Sequence, residues 1–195
     1  MKNGIGFKNI NEINFHPVLK DIENIFWFFI LSNAVLANPK IQEEIKNQQE
    51  PNIISMLEKF NNWTSLQTRI DYSINRYQTT MQPLNQFILL GKTMAINLYE
   101  LLKASDYYSN LQVMEEFRFL RYIRNGAAHN NKFNFKNRNG EWTLKNNEII
   151  RWGDYTIDRN LQNKPVFNDF IGFQMIFILA KNFSERLTKI DNEQK

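Results

Sequence analysis

The chain has 195 residues, 43% of them hydrophobic, with 24 Lys+Arg against 20 Asp+Glu. That is enough for one ordinary globular domain with a real core, so a single domain over 1–195 is the expectation. It has no cysteine and only two histidines, which removes disulfides, thiolate zinc sites and a cysteine nucleophile, makes a His-rich metal site improbable, and implies no cofactor.

The N-terminal stretch carries no apolar signal segment. The most apolar run, Ile25 to Ala37, is too short for a bilayer and is interrupted by Ser32 and Asn33. A cytoplasmic protein with no membrane partner is therefore expected. Apolar residues recur at helical spacing through the first two-thirds, broken at Pro39, Pro51 and Pro83, each a natural first-turn residue. The spacing predicts helices over 17–37, 39–49, 51–60, 64–80, 84–104 and 109–130. His16-Pro17 reads as the entry to the first. Between Phe133 and Ile157 the pattern becomes period two, with Asn139-Gly140, Asn146-Asn147 and Gly153-Asp154 as turn signals. A small antiparallel β element at about 132–158 follows. After Pro165 a final helix, about 166–190, is predicted to carry Phe167, Phe170, Ile171, Phe173, Ile176, Phe177, Phe183 and Leu187 around most of its circumference. Such a helix must be covered, either by six neighbours or by a second copy of the chain. The fold class is thus mainly α, a helical bundle with a β-hairpin insertion before the last helix.

The stretch RYIRNGAAHNN, Arg121 to Asn131, holds the most chemistry. An imidazole titrating near neutrality can take the proton from a ribose 2′-OH. A guanidinium can hold a phosphate through paired hydrogen bonds while negative charge builds. At about 100° per residue, Asn125 and His129 share a helix face with Glu115, Arg118 and Tyr122. Arg124 instead continues the apolar line of Val113, Phe117 and Leu120. An arginine there must be paired or must reach into a cleft or a neighbouring chain. Gly126, a poor helix-interior residue, is expected to loosen the last turn and let Arg124 and His129 approach one opening.

Arg-Asn, three residues, then His, near the end of a long helix in a small helical protein, resembles the HEPN superfamily, on Arg124, Asn125 and His129. The resemblance implies a metal-independent endoribonuclease or an RNA- or nucleotide-binding module, working as a dimer that brings two motifs together. It also implies a setting in toxin–antitoxin, abortive-infection or other bacterial defence systems, with an antitoxin or defence-system protein as a possible partner. One subgroup carries a modifiable Tyr two residues after the His; here that position is Asn131, so regulation by that route is not expected. Arg124, Asn125 and His129 are then the catalytic candidates, and Arg118, Arg121, Lys132 and Lys136 the RNA-binding ones.

Charge distribution fits that reading. Glu115 to Arg138 contains six basic residues and two acidic ones, and the remaining 18 and 18 cancel, so the whole formal excess of +4 surrounds the motif. Trp142, Trp152 and Tyr155, near Lys136, Arg138 and Arg151, offer either a stacking surface for single-stranded RNA or aromatic packing against the domain. The motif also has a plain alternative. A His followed by Asn-Asn makes a sensible C-terminal cap, which would leave an all-α interaction protein. Glu43/Glu44 and Glu115/Glu116 read as solvated faces, and Gly4-Ile5-Gly6 lacks the context of a phosphate loop.

Overall fold

A computed structural model of the chain describes residues 15–40, 43 and 83–193. The described residues are mostly helical: α1 (Lys20–Ala37), α2 (Pro83–Ala104), α3 (Tyr108–Leu111), α4 (Glu115–Ala128) and α5 (Phe173–Glu193). Strands β1 (Ile150–Trp152) and β2 (Tyr155–Ile157) lie between α4 and α5, with short 3-10 turns at Pro17–Leu19 and Arg159–Leu161. The chain divides into two compact units, Met1–Phe26 with Ile88–Lys195, and Trp27–Phe87. Of the predicted helices, 51–60 and 64–80 lie outside the described residues. The 39–49 helix is described only at residues 39, 40 and 43, which are helical. There the Asn38 side chain accepts from the Lys40 N–H at 3.0 Å, ahead of Pro39, as a helix start requires. No helix among the described residues is long and apolar enough to cross a membrane.

The first unit is built around α4. Its Phe117, Phe119, Leu120, Tyr122, Ile123 and Ala127 are buried, and they face different partners. Phe117 stacks on Tyr99 of α2 (5.2 Å, 27°) and meets Phe183 of α5 edge-on. Phe119 meets Trp152, Tyr155 and Phe170. Tyr122 meets Phe135 and its hydroxyl donates to the Thr143 carbonyl at 3.5 Å. The β element therefore lies against part of the face that Glu115, Arg118 and Tyr122 share. The Glu115 side chain accepts from the Arg151 N–H, Arg118 pairs with Glu148, and Tyr122 is 3% exposed.

That β element follows the period-two reading closely. β1 and β2 are antiparallel, with Ile150 opposite Ile157, Arg151 opposite Thr156 and Trp152 opposite Tyr155. Ile150, Trp152 and Ile157 point inward while Arg151 and Thr156 point out, the alternation that a half-buried hairpin needs. Gly153 takes φ 54° in the connecting Gly153-Asp154 turn, with glycine where a primed turn wants it. Lys136 bridges Trp142 across the Asn139-Gly140 turn, where Gly140 has φ 80°. Glu148 ties the neighbouring turn down. Its carboxylate accepts from the Lys145 N–H as well as from Arg118, and these bonds, that to Lys145 first, hold its pKa below the ordinary value against the opposing effect of burial.

Two helices depart from expectation. The predicted 109–130 helix is broken at 112–114, with Met114 extended (φ −77°, ψ 142°). In one straight helix Val113 would share the face of Phe117; the break leaves Val113 77% exposed while Phe117 enters the core. The last helix begins at Phe173, seven residues later than predicted. Residues 165–171 are instead a turn whose Val166 N–H donates to the Asn131 carbonyl and whose Ile171 N–H donates to the Val166 carbonyl. Two glycines admit this turn at close range: a Cβ on Gly91 would lie 2.6 Å from the Phe167 ring, and one on Gly126 would lie 2.3 Å from Val166 Cγ2. With Phe167, Phe170 and Ile171 outside it, α5 is amphipathic. It buries Ile176, Phe177, Leu179, Ala180, Phe183, Ser184 and Leu187 along one stripe, so it no longer demands a second copy to cover it. The helix buried on several sides is α4.

His16 is structural, as its position before Pro17 suggests. Its Nδ1 accepts from the Val18 N–H, which places the ring proton on Nε2, 3.0 Å from Asp191 Oδ2. Its backbone N–H donates to Ser184 Oγ at 2.6 Å. The Tyr107 hydroxyl donates to Asp191 Oδ1 at 2.5 Å, and that bond, with burial and the nearby carboxylates of Asp191 and Asp106, raises the tyrosine pKa.

Candidate functional site

The motif occupies the C-terminal turn of α4. The helix runs unbroken through Gly126 to Ala128 and is capped at His129, whose N–H donates to the Asn125 and Gly126 carbonyls at 3.0 and 3.2 Å. Gly126 does not loosen the turn. It is buried, and its missing Cβ makes room for Val166 and the Lys132 carbonyl. Helical winding stops because Asn130 and Asn131 take left-handed backbone, φ 55° and 62°, which asparagine tolerates better than most residues. Asn131 is then fixed by tertiary contact: its amide accepts from the Phe167 N–H and donates to the Phe167 carbonyl. The capping reading thus holds for Asn130 and Asn131. The His129 side chain is exposed and makes no hydrogen bond or ion pair among the described residues.

Arg124 is paired. One carboxylate oxygen of Glu100, on α2, accepts from Nε at 3.1 Å and from Nη2 at 2.5 Å. The guanidinium also lies 5.5 Å from the centre of the Tyr99 ring, and Tyr99 in turn stacks on buried Phe117. Nη1 approaches Asn125 Oδ1 at 3.4 Å. The side chains of Arg124 and Glu100 are 30% and 45% exposed, so the pair is screened by water and contributes about 0–1 kcal/mol to stability. An arginine on the apolar line is accounted for by a partner whose position sequence spacing does not reveal.

The structure therefore brings Arg124 and Asn125 into contact and leaves His129 one turn further on. No hydrogen bond joins His129 to Arg124. The RNA-binding candidates divide. Arg118 is committed to Glu148. Arg121 and Lys132 are exposed and have no carboxylate partner among the described residues. Lys136 sits 5.1 Å from the centre of the Trp142 ring, which Arg159 also approaches, at 4.5 Å. Of the aromatic residues considered for stacking, Trp152 is 8% exposed and packed on Phe119 and Tyr155, whereas Trp142 is 41% exposed. Among the described residues, no three His, Asp or Glu side chains gather as a metal site would need.

Glu100, Tyr99 and Glu148 were not singled out from sequence. Each acts on the motif helix from another element, and nothing local to those residues marks the pairing. No family model matches the chain, and neither a curated protein nor a solved structure matches it.

Proposed function

We propose that the protein is a metal-independent endoribonuclease of the HEPN type, acting on cytoplasmic RNA in a bacterial defence or toxin–antitoxin setting. The observation that carries the proposal is the exposed imidazole of His129, without a hydrogen-bond or ion-pair partner among the described residues, one helical turn beyond a contacting Arg124–Asn125 pair. In the mechanism, His129 acts on the proton of the ribose 2′-OH or on the leaving 5′-oxygen. The 2′-oxygen attacks phosphorus in line and the bond from phosphorus to the 5′-oxygen breaks. The departing oxygen takes up a proton, so the proton lost from the 2′-OH is balanced. Products are a 2′,3′-cyclic phosphate and a 5′-OH. Arg124 stabilises the charge gathering on the phosphoryl oxygens, and Asn125 orients His129 or the phosphate. A symmetric pair of chains would set a second His129 and Arg124 beside the first, which one site with separated Arg124 and His129 would benefit from. A defence-system or antitoxin protein is the partner class in keeping with this role.

The test is to incubate wild-type and His129→Ala protein with tRNA and total RNA in excess EDTA, then map new ends. Cleavage by wild type alone, leaving cyclic phosphate and 5′-OH ends, is the expected outcome. Intact RNA in both samples overturns the proposal. A second reading, an RNA-binding module that does not cut, is favoured by the basic residues Arg121, Lys132 and Arg138, which lack carboxylate partners among the described residues. Binding that persists in EDTA with no new ends would select it.

A further inference from the structure

We infer that Glu100 is a positioning residue for the phosphate-binding arginine; the inference rests on the ribonuclease reading above. A guanidinium has two edges that can each hold two acceptors, Nε with Nη2 and Nη1 with Nη2. Glu100 occupies the first with a single oxygen, at 3.1 and 2.5 Å. Asn125 meets Nη1 at 3.4 Å, a contact long enough to yield to a better acceptor. The guanidinium carbon lies over the Tyr99 ring, 5.5 Å from its centre. The edge left for a phosphodiester is therefore Nη1 with Nη2, and its direction is set by α2 as well as by α4.

A carboxylate beside the arginine also has a cost for the substrate, since it partly cancels the positive charge that attracts the phosphate. Orientation and attraction thus pull in opposite directions at Glu100. A purely structural pair would show neither effect on kinetics. A half-exposed pair of this kind holds little of the fold, so its removal should leave the protein folded.

The experiment compares wild type, Glu100→Ala and Glu100→Gln on one RNA substrate, with the melting temperature measured for each. Glu100→Ala is expected to lower kcat roughly tenfold or more, as a misplaced catalytic group does, with KM unchanged or lower. Glu100→Gln, whose amide oxygen can accept from the same two donors, is expected to recover most of kcat. An unchanged kcat in a folded Glu100→Ala protein overturns the inference while the ribonuclease reading stands. A raised kcat also overturns it, by showing that Glu100 restrains Arg124. If wild type leaves all RNA intact, both fall together, and the His129→Ala comparison identifies that case.

Discussion

Asn131 holds Phe167 by both ends of its side-chain amide, accepting from the Phe167 N–H at 2.9 Å and donating to the Phe167 carbonyl at 3.0 Å. An amide group so engaged imitates one rung of a β ladder, and it does so from a residue already in left-handed backbone. Asn131 is thereby a structural clamp. Asn131→Ala should lose two hydrogen bonds and place a Cβ-bearing residue without local support at φ 62°, at a combined cost of about 2–4 kcal/mol. Asn131→Gly should cost less, because it keeps the backbone conformation. Urea unfolding of the two variants checks both the size and the order.

Gly126→Ala is expected to destabilise despite its gain in helix propensity. The new methyl would lie 2.3 Å from Val166 Cγ2 and 3.2 Å from the Lys132 carbonyl, and overpacking of that kind costs about 1–3 kcal/mol against a propensity gain of about 1 kcal/mol. Adding Val166→Ala should recover part of the loss, because the nearest obstruction is that side chain. A double-mutant cycle measured by chemical unfolding gives the coupling directly.

Glu148 makes stability depend on acidity with a definite sign. Its pKa is lowered in the folded state, chiefly by the Lys145 N–H and then by Arg118, from an ordinary value of 4.5. A carboxyl shifted downward contributes stability that is present above its unfolded pKa and lost as pH falls through the folded one. Melting temperatures of wild type and Glu148→Gln should therefore differ most near neutrality and converge as the pH drops below 4.5. A gap that stays constant from pH 7 to pH 3 would show that Glu148 does not act through its charge.

The basic residues around the motif should separate by salt dependence. Arg121 and Lys132 are exposed without carboxylate partners among the described residues, so each Ala variant should weaken RNA binding and reduce the salt slope by about 0.7 for a single strand. Arg118 is already held by Glu148, so its removal should act more on the melting temperature than on that slope. Slopes unchanged from wild type in the Arg121 and Lys132 variants would mean that neither residue meets a phosphate.

What the sequence made legible was what depends on neighbours along the chain. α2 begins at Pro83, and β1 and β2 meet at Gly153-Asp154 with the inward pattern that alternation predicts, because helix starts and hairpin turns are written in a few adjacent residues. The break after α3 was not legible: residues 112–114 contain no Gly or Pro, and Met114 makes no side-chain cap. Nor was the start of α5, since Phe167, Phe170 and Ile171 fit a helical stripe until Asn131 and the glycines at 91 and 126 draw them into a turn. At the site, Arg124 was recognisable as an arginine needing a partner. That the partner is Glu100 depends on how α2 lies against α4, which local spacing does not encode. Arg118 and Tyr122, placed by spacing on the face of Asn125 and His129, meet a β element that returns from later in the chain, where Tyr122 is buried and Arg118 is paired with Glu148.

The contacts of His16 with Ser184 and Asp191 span 168 and 175 residues of sequence, and they join a unit whose two pieces, Met1–Phe26 and Ile88–Lys195, are separated by residues 27–87. Phe15 and Phe26 reinforce that closure by packing on Phe177, at 5.2 and 4.0 Å between ring centres. The entropy of bringing the two pieces of a unit together grows only with the logarithm of the length of chain between them, and each doubling of that length costs about 0.6 kcal/mol. The seam at His16 therefore closes the unit that carries Arg124 and His129 on itself, since Phe15 and His16, which precede that stretch of chain, are held by Phe177, Ser184 and Asp191 of α5.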